Sequence, residues 1–273
     1  MSSRPFNFSA GPATLPLTVL EQAQHDLVSL PGVGASPLEV SHRGSWFGEV
    51  LAEAKANLRT LLAIPDTHHI VFCQGGATQQ FAMVPMNLGT RSRTPDYVVT
   101  GAWGSKAVAE ASRLGDARVA WTDEDDGYAR VPDDGELADV AATDAAYLHV
   151  TTNETIHGVE FPVDPSVVDG LPLVADMSSD LLSRPVDVAR YGLIYAGAQK
   201  NVGPAGVTVV IVRDDLLGDI PDGLPTMLDY RTFVEHDSMF NTPPVFAIYV
   251  VMLVTRWLRD DVGGVEAQQR INR

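Results

Sequence analysis

Only three lysines occur in the 273 residues, at positions 55, 106 and 200. Lys55 and Lys106 fall in amphipathic helical patterns, where solvent explains them. Lys200 instead closes an apolar run, YGLIYAGAQ, and is followed by Asn, Gly and Pro. A lysine at a buried strand end can have a lowered pKa and act as a nucleophilic amine. A surface loop is the alternative. Twenty-four residues earlier the apolar stretch LPLVAD ends at Asp176, followed by Ser178 and Ser179. A carboxylate there needs a cation, a metal or a protonated ring nitrogen as partner, unless it caps a helix. Trp103, in GAWGSK just after the strand-like YVVT, can stack on a flat ligand or fill a core. Cys73 precedes GGATQQF, a Gly-Gly turn with Ala77 and Thr78 opening a helix, where backbone N–H groups and the helix dipole suit a phosphate. Together these supply a phosphate cradle, an aromatic lid, a carboxylate for a ring nitrogen and an amine for an aldehyde. Pyridoxal 5'-phosphate has all four complementary groups, with Lys200 as its Schiff-base lysine.

The elements that must place these residues are legible in the periodicity. Leu15–Leu30 and Phe47–Ile64 carry apolar residues at helical spacing. Seven short β-rich runs alternate with helical stretches: His69–Cys73, Tyr97–Thr100, Ala117–Trp121, Ala145–Val150, Leu171–Asp176, Leu193–Ala196 and Val207–Val212. Such alternation predicts an α/β fold, a mainly parallel sheet between helices. In open sheets of this kind ligands bind at the carboxyl ends of strands, where all four chemical residues fall. The connection WTDEDDGYARVPDD reads as an acidic solvated turn, because its spacing matches no cation loop, and no metal is expected. In NTPPVFAIYVVMLVTRW, Thr242 is the expected N-cap and Pro243 the first helical residue.

Thirty-five acidic against nineteen basic residues give a net charge of −16, a field that repels nucleic acid and anionic membranes. The excess of Asp over Lys hints at solubility in high salt, a hint that GC-rich codon bias explains equally. The longest apolar run, Val245–Val254, is about half of what a membrane span needs. Cys73 is the single cysteine and no secretory signal is visible, so a soluble cytoplasmic protein is expected.

Several stretches taken together resemble the phosphoserine aminotransferase family, whose members are fold-type I enzymes using pyridoxal phosphate. They are FNFSAGPATLP (6–16), EVSHRG (39–44), VFCQGGATQQFAMVPMNL (71–88), NETIHG (153–158), AD-SS (175–179), SRPVDVARYGLIYAGAQKNVGPAG (183–206) and SMFNTPP (238–244). The resemblance implies a seven-stranded large domain over residues 16–255 after an N-terminal segment 1–15. It implies reversible amino transfer between 3-phosphooxypyruvate and L-glutamate, giving O-phospho-L-serine and 2-oxoglutarate, in L-serine and possibly pyridoxine biosynthesis. Lys200 would carry the cofactor and Asp176 pair with its ring nitrogen, with Trp103 stacked on the ring and Thr155 near its phenolic oxygen. Ala77, Thr78 and Gln199 would hold its phosphate, completed by Asn241 and Thr242 of a neighbouring subunit in a homodimer with shared sites. His42 and Arg43 would bind the substrate phosphate from the neighbouring subunit, and Ser9 would lie near the substrate.

Two departures from that pattern stand out. Some relatives carry arginine where Thr78 stands, which would reduce one phosphate contact here. The chain also stops in a polar helical pattern at Arg273. Residues 256–273 are therefore expected to begin a connection to an absent small domain, which in the family supplies the arginine gripping the substrate carboxylate. Two other readings follow: an alanine–glyoxylate-type aminotransferase of the same fold, against which His42–Arg43 speaks, or a cofactor-binding fragment with impaired catalysis.

Overall fold

The computed structural model describes residues 4–89, 93–140, 144–166 and 170–273. Among the described residues, seven of nine strands form one sheet: β1 (His68–Cys73), β2 (Asp96–Val99), β3 (Arg118–Thr122), β4 (Leu148–Thr151), β7 (Leu173–Asp176), β8 (Leu193–Gly197) and β9 (Thr208–Arg213). Their order is β1-β9-β8-β7-β4-β2-β3. The pairs β2–β3, β2–β4, β4–β7 and β7–β8 are parallel, whereas β9 runs antiparallel to both β8 and β1. Each of the seven expected runs contributes one strand, with ends displaced by a few residues. Strands β5 (Asn153–Glu154) and β6 (Val159–Glu160) form a small separate hairpin.

The central strands β4, β7, β8 and β9 are buried on both faces and accordingly almost wholly apolar, whereas the edge strand β3 is largely exposed. Along β8, Ile194 and Ala196 point into one core while Leu193 and Tyr195 point into the other. The first core holds α1 (Leu17–Asp26), α2 (Ser45–Leu61) and α7 (Val245–Trp257), with Phe47, Leu51, Ala54 and Leu58 of α2 against Ile248 and Val251 of α7. The second receives Phe81 and Met83 from α3 (Gly76–Leu88), Ala107 from α4 (Ala102–Ala111) and Tyr230 and Phe233 from α6 (Tyr230–Glu235). A short helix, α5 (Asp134–Val140), lies beyond the acidic loop, and α8 (Val265–Asn272) follows a π-turn and the Gly263–Gly264 pair.

Helix α7 is apolar on every side, and nine of its residues are buried. That pattern requires neighbours all round, which the sheet, α1 and α2 provide. Its start corrects the sequence reading. The N-cap is Pro244, not Thr242, and the first helical residue is Val245, not Pro243. The residue before a proline is driven out of the helical region, so the Pro243–Pro244 pair delays entry. The Ile248 N–H then reaches the Pro244 carbonyl at 3.0 Å. The expected domain boundary at 255/256 falls inside this helix. In the acidic loop the Asp123 carboxylate braces its own turn, accepting the N–H groups of Ala129 (2.8 Å) and Arg130 (3.2 Å).

Candidate active site

The carboxyl ends of β7 and β8 and the start of α3 and α4 converge on one region. Lys200 lies three residues beyond β8, half-buried, and its Nζ donates to Thr155 Oγ1 at 2.8 Å. The same ammonium sits 4.7 Å from the Trp103 ring centroid, and Trp103 Nε1 donates to the same Thr155 oxygen at 3.2 Å. Burial pulls the Lys200 amine below the ordinary lysine value, opposed by the carboxylates of Asp176, Glu154 and Asp180. The result is an amine closer to its nucleophilic form than a surface lysine.

Asp176 ends β7 and is buried. Its Oδ1 accepts the Ser178 N–H at 2.9 Å and the Ser178 hydroxyl at 2.6 Å, and Ser178 Oγ in turn accepts the Gly197 N–H at 3.0 Å. Burial raises the Asp176 pKa, while the two bonds from Ser178 and the Lys200 charge pull it back. Asp176 thus braces a turn of its own and still faces the lysine's field.

The N-terminus of α3 forms the third wall. Gly75 (φ 85°) and Gly76 (φ 65°) both adopt the left-handed region, which favours glycine. A Cβ at Gly75 would also collide with the Gln79 side chain. Ala77 and Thr78 occupy the first turn, whose N–H groups have no intrahelical acceptor. A Cβ on Gly197 would come within 3.3 Å of the Ala77 nitrogen and 3.0 Å of Gln199 Oε1. Gln199 therefore sits beside that turn.

The N-terminal segment crosses the lysine. The Ala13 N–H donates to the Gln199 carbonyl at 2.8 Å, and a Cβ on Gly11 would lie 3.0 Å from Lys200 Cγ. The backbone passes directly over the side chain, and a Cβ there would press on the lysine stem. Ser9, two residues before Gly11, is exposed, and its N–H donates to Asn7 Oδ1. Asn241 Oδ1 accepts from Gln74 Nε2 at 3.4 Å, next to the Gly75–Gly76 turn, and Thr242 beside it is exposed. His42 and Arg43 precede α2 and make no hydrogen bond to the lysine region. Arg43 is exposed, and His42 Nε2 is sealed from solvent without a partner.

Glu154 escaped the sequence reading. It is fully buried and accepts the N–H groups of Trp103 (3.0 Å) and Gly104 (2.8 Å). Burial raises its pKa, and those two donors lower it. Its only signal in the sequence is adjacency to Thr155 within NETIHG, which says nothing of a helix fifty residues earlier.

Comparison with known proteins places this geometry. Residues 5–273 match the family described as Aminotransferase class-V. A phosphoserine aminotransferase of Laribacter hongkongensis is 55% identical over 267 residues, covering 98% of this chain and 73% of that protein. The solved phosphoserine aminotransferase from Bacillus circulans subsp. alkalophilus superposes with a TM-score of 0.95 at 50% identity, over 99% of this chain and 74% of that one. A pyridoxal-phosphate-bound phosphoserine aminotransferase from Trichomonas vaginalis matches with a TM-score of 0.88 at 39% identity, over 98% and 79% of the two chains.

Proposed function

The chain belongs to the aminotransferase class-V family, and from that premise we propose that it is a pyridoxal-phosphate-dependent phosphoserine aminotransferase. Its reaction is 3-phosphooxypyruvate plus L-glutamate giving O-phospho-L-serine plus 2-oxoglutarate, reversibly, on the route to L-serine. The observation that carries this reading is the meeting of the Lys200 amine, the Trp103 face and Thr155 beside a buried carboxylate. It occurs in a chain about half identical to enzymes of that name.

The donor set suits pyridoxal 5'-phosphate. The space over the α3 N-terminus is one that a Cβ on Gly197 would invade, and free N–H groups there favour a phosphate. Ala77, Thr78 and Gln199 hold that phosphate, with Asn241 and Thr242 contributed by a second copy of the chain. Trp103 offers a flat face, Thr155 a hydroxyl near the ring oxygen, and Asp176 a carboxylate for the ring nitrogen. When bound, the cofactor supplies an electron sink for breaking the substrate Cα–H bond. Lys200 Nζ, whose hold on a proton burial weakens, would carry that proton from the substrate Cα to the cofactor carbon. His42 and Arg43, again from a second copy, bind the substrate phosphate, for which an arginine fork is the matching shape. Ser9 lies at the substrate side. The working protein in this reading is a soluble cytoplasmic homodimer acting on small anionic amino and keto acids.

An absorption spectrum of the purified chain with pyridoxal phosphate, before and after adding O-phospho-L-serine, tests the proposal. A visible band that forms and then bleaches with release of the keto acid is expected. A band indifferent to phosphoserine but bleached by alanine would reject the substrate assignment.

A further inference from the structure

The hairpin strand β5 does more than deliver Thr155. Its last residue and the first of the turn after it grip the same helix start from two sides: Glu154 takes the backbone N–H groups of Trp103 and Gly104, and Thr155 takes the Trp103 indole N–H. Thr155 also receives the Lys200 ammonium. The backbone opposite is cut away to admit the carboxylate, since a Cβ on Gly101 would lie 2.6 Å from Glu154 Cδ and 2.8 Å from Oε2. No side-chain cap from α4's own N-terminal residues satisfies these donors. A carboxylate at a helix N-terminus complements the dipole, and its bonds are the charge-assisted kind.

We propose that Glu154 is a positioning residue for amino transfer: it fixes the Trp103 indole as the wall against which the cofactor ring lies, in register with Lys200. This rests on the cofactor reading above. Without Glu154 the first turn of α4 would keep its sequence and lose its anchor, and Trp103 would keep one hydrogen bond through a side chain free to rotate.

Two variants test it. Glu154→Gln is nearly isosteric, but its NH2 group confronts one of the two N–H donors. Gly101→Ala leaves every charge in place and forces the carboxylate off its seat. In both, amide exchange at Trp103 and Gly104 in the cofactor-free chain is expected to quicken roughly tenfold or more, in keeping with the loss of a charge-assisted bond. The visible circular dichroism of bound pyridoxal phosphate should fall to the level of a Trp103→Phe chain, while borohydride still fixes cofactor to Lys200. Unchanged exchange in both variants would overturn the inference. So would faster exchange with unchanged dichroism, which would leave Glu154 as a helix cap with no bearing on the cofactor. A wild-type chain that captures no pyridoxal phosphate would instead overturn the function reading, and that control is read before either variant is made.

Discussion

The Lys200 amine stands between two opposing influences. Burial favours its neutral form, and three carboxylates favour the charged one, with burial the larger. A group whose folded pKa is lowered gives up its proton earlier as pH rises, so capture of pyridoxal phosphate should climb with a midpoint below the ordinary lysine value. Asp176 is the leading influence raising that midpoint. Asp176→Asn should therefore shift it still lower and, on the proposed pairing of Asp176 with the ring nitrogen, lose roughly 100-fold or more in turnover. Stopped-flow measurement of chromophore formation across pH, in wild type and Asp176→Asn, reads both signs. A midpoint that moves up in the variant would contradict the electrostatics described here. Serine, not a cation, is the protein's own partner for Asp176, through the paired bonds from Ser178. The sequence showed the Asp–Ser spacing but not that one hydroxyl would link it onward to β8 through the Gly197 N–H.

At the level of elements, the lysine-bearing loop is held down by helix α7. A Cβ on Gly203, within the GPAG segment, would stand 2.8 Å from Val251 Cγ2 and 3.5 Å from its Cα. The second is ordinary van der Waals contact, so the clash is with the Val251 methyl, which the stiff χ1 of a β-branched residue in a helix keeps from turning aside. Gly203→Ala should lower stability by about 1–3 kcal/mol through overpacking, seen as a reduced thermal midpoint of the cofactor-free chain. Because Val202 and Gly203 both donate to the Ala198 carbonyl, the strain should pass into the lysine loop and weaken cofactor binding as well. An Ala variant as stable as wild type would mean that α7 can slide. Helix α7 is also tied to α2 by a buried polar pair, Asn57 Nδ2 donating to Thr255 Oγ1 at 3.2 Å, and the exposed Arg259 of the following π-turn donates to Asn57 Oδ1. These bonds fix the register of two otherwise greasy surfaces.

For the whole molecule, the proposed sharing of sites between two copies makes a sharp prediction. In a single chain Arg43 is exposed, and its guanidinium has no hydrogen-bond partner among the described residues. If Arg43 serves the neighbour's lysine, Lys200→Ala and Arg43→Ala chains are each inactive alone. A dimer of one each then contains one intact site. Mixing the two after reversible dissociation should restore part of the activity, and a mixture as dead as its parents would place the arginine and lysine in the same subunit. Exposed Phe6 and Phe8, whose rings lie 6.4 Å apart, give the N-terminal segment an apolar face of the kind that a second copy could cover.

The alternation of apolar runs with amphipathic helices was enough to specify seven strands, covered faces and the strand ends where chemistry gathers. Those features are local: a strand buried on both faces must be apolar along its whole length. Lys200, Asp176, Trp103 and the Gly75–Gly76 turn were legible because each breaks such a local pattern. What only the tertiary structure decided is who touches whom. Glu154 reaches Trp103 across 51 positions of sequence, and Gly11 lies against Lys200 from the far end of the chain. The Thr242 cap failed for the opposite reason, a local signal overridden by the second proline beside it. Residue type and period report burial and backbone preference. The partner of a buried carboxylate is set by chain topology, which brings distant segments together at the mouth of one sheet.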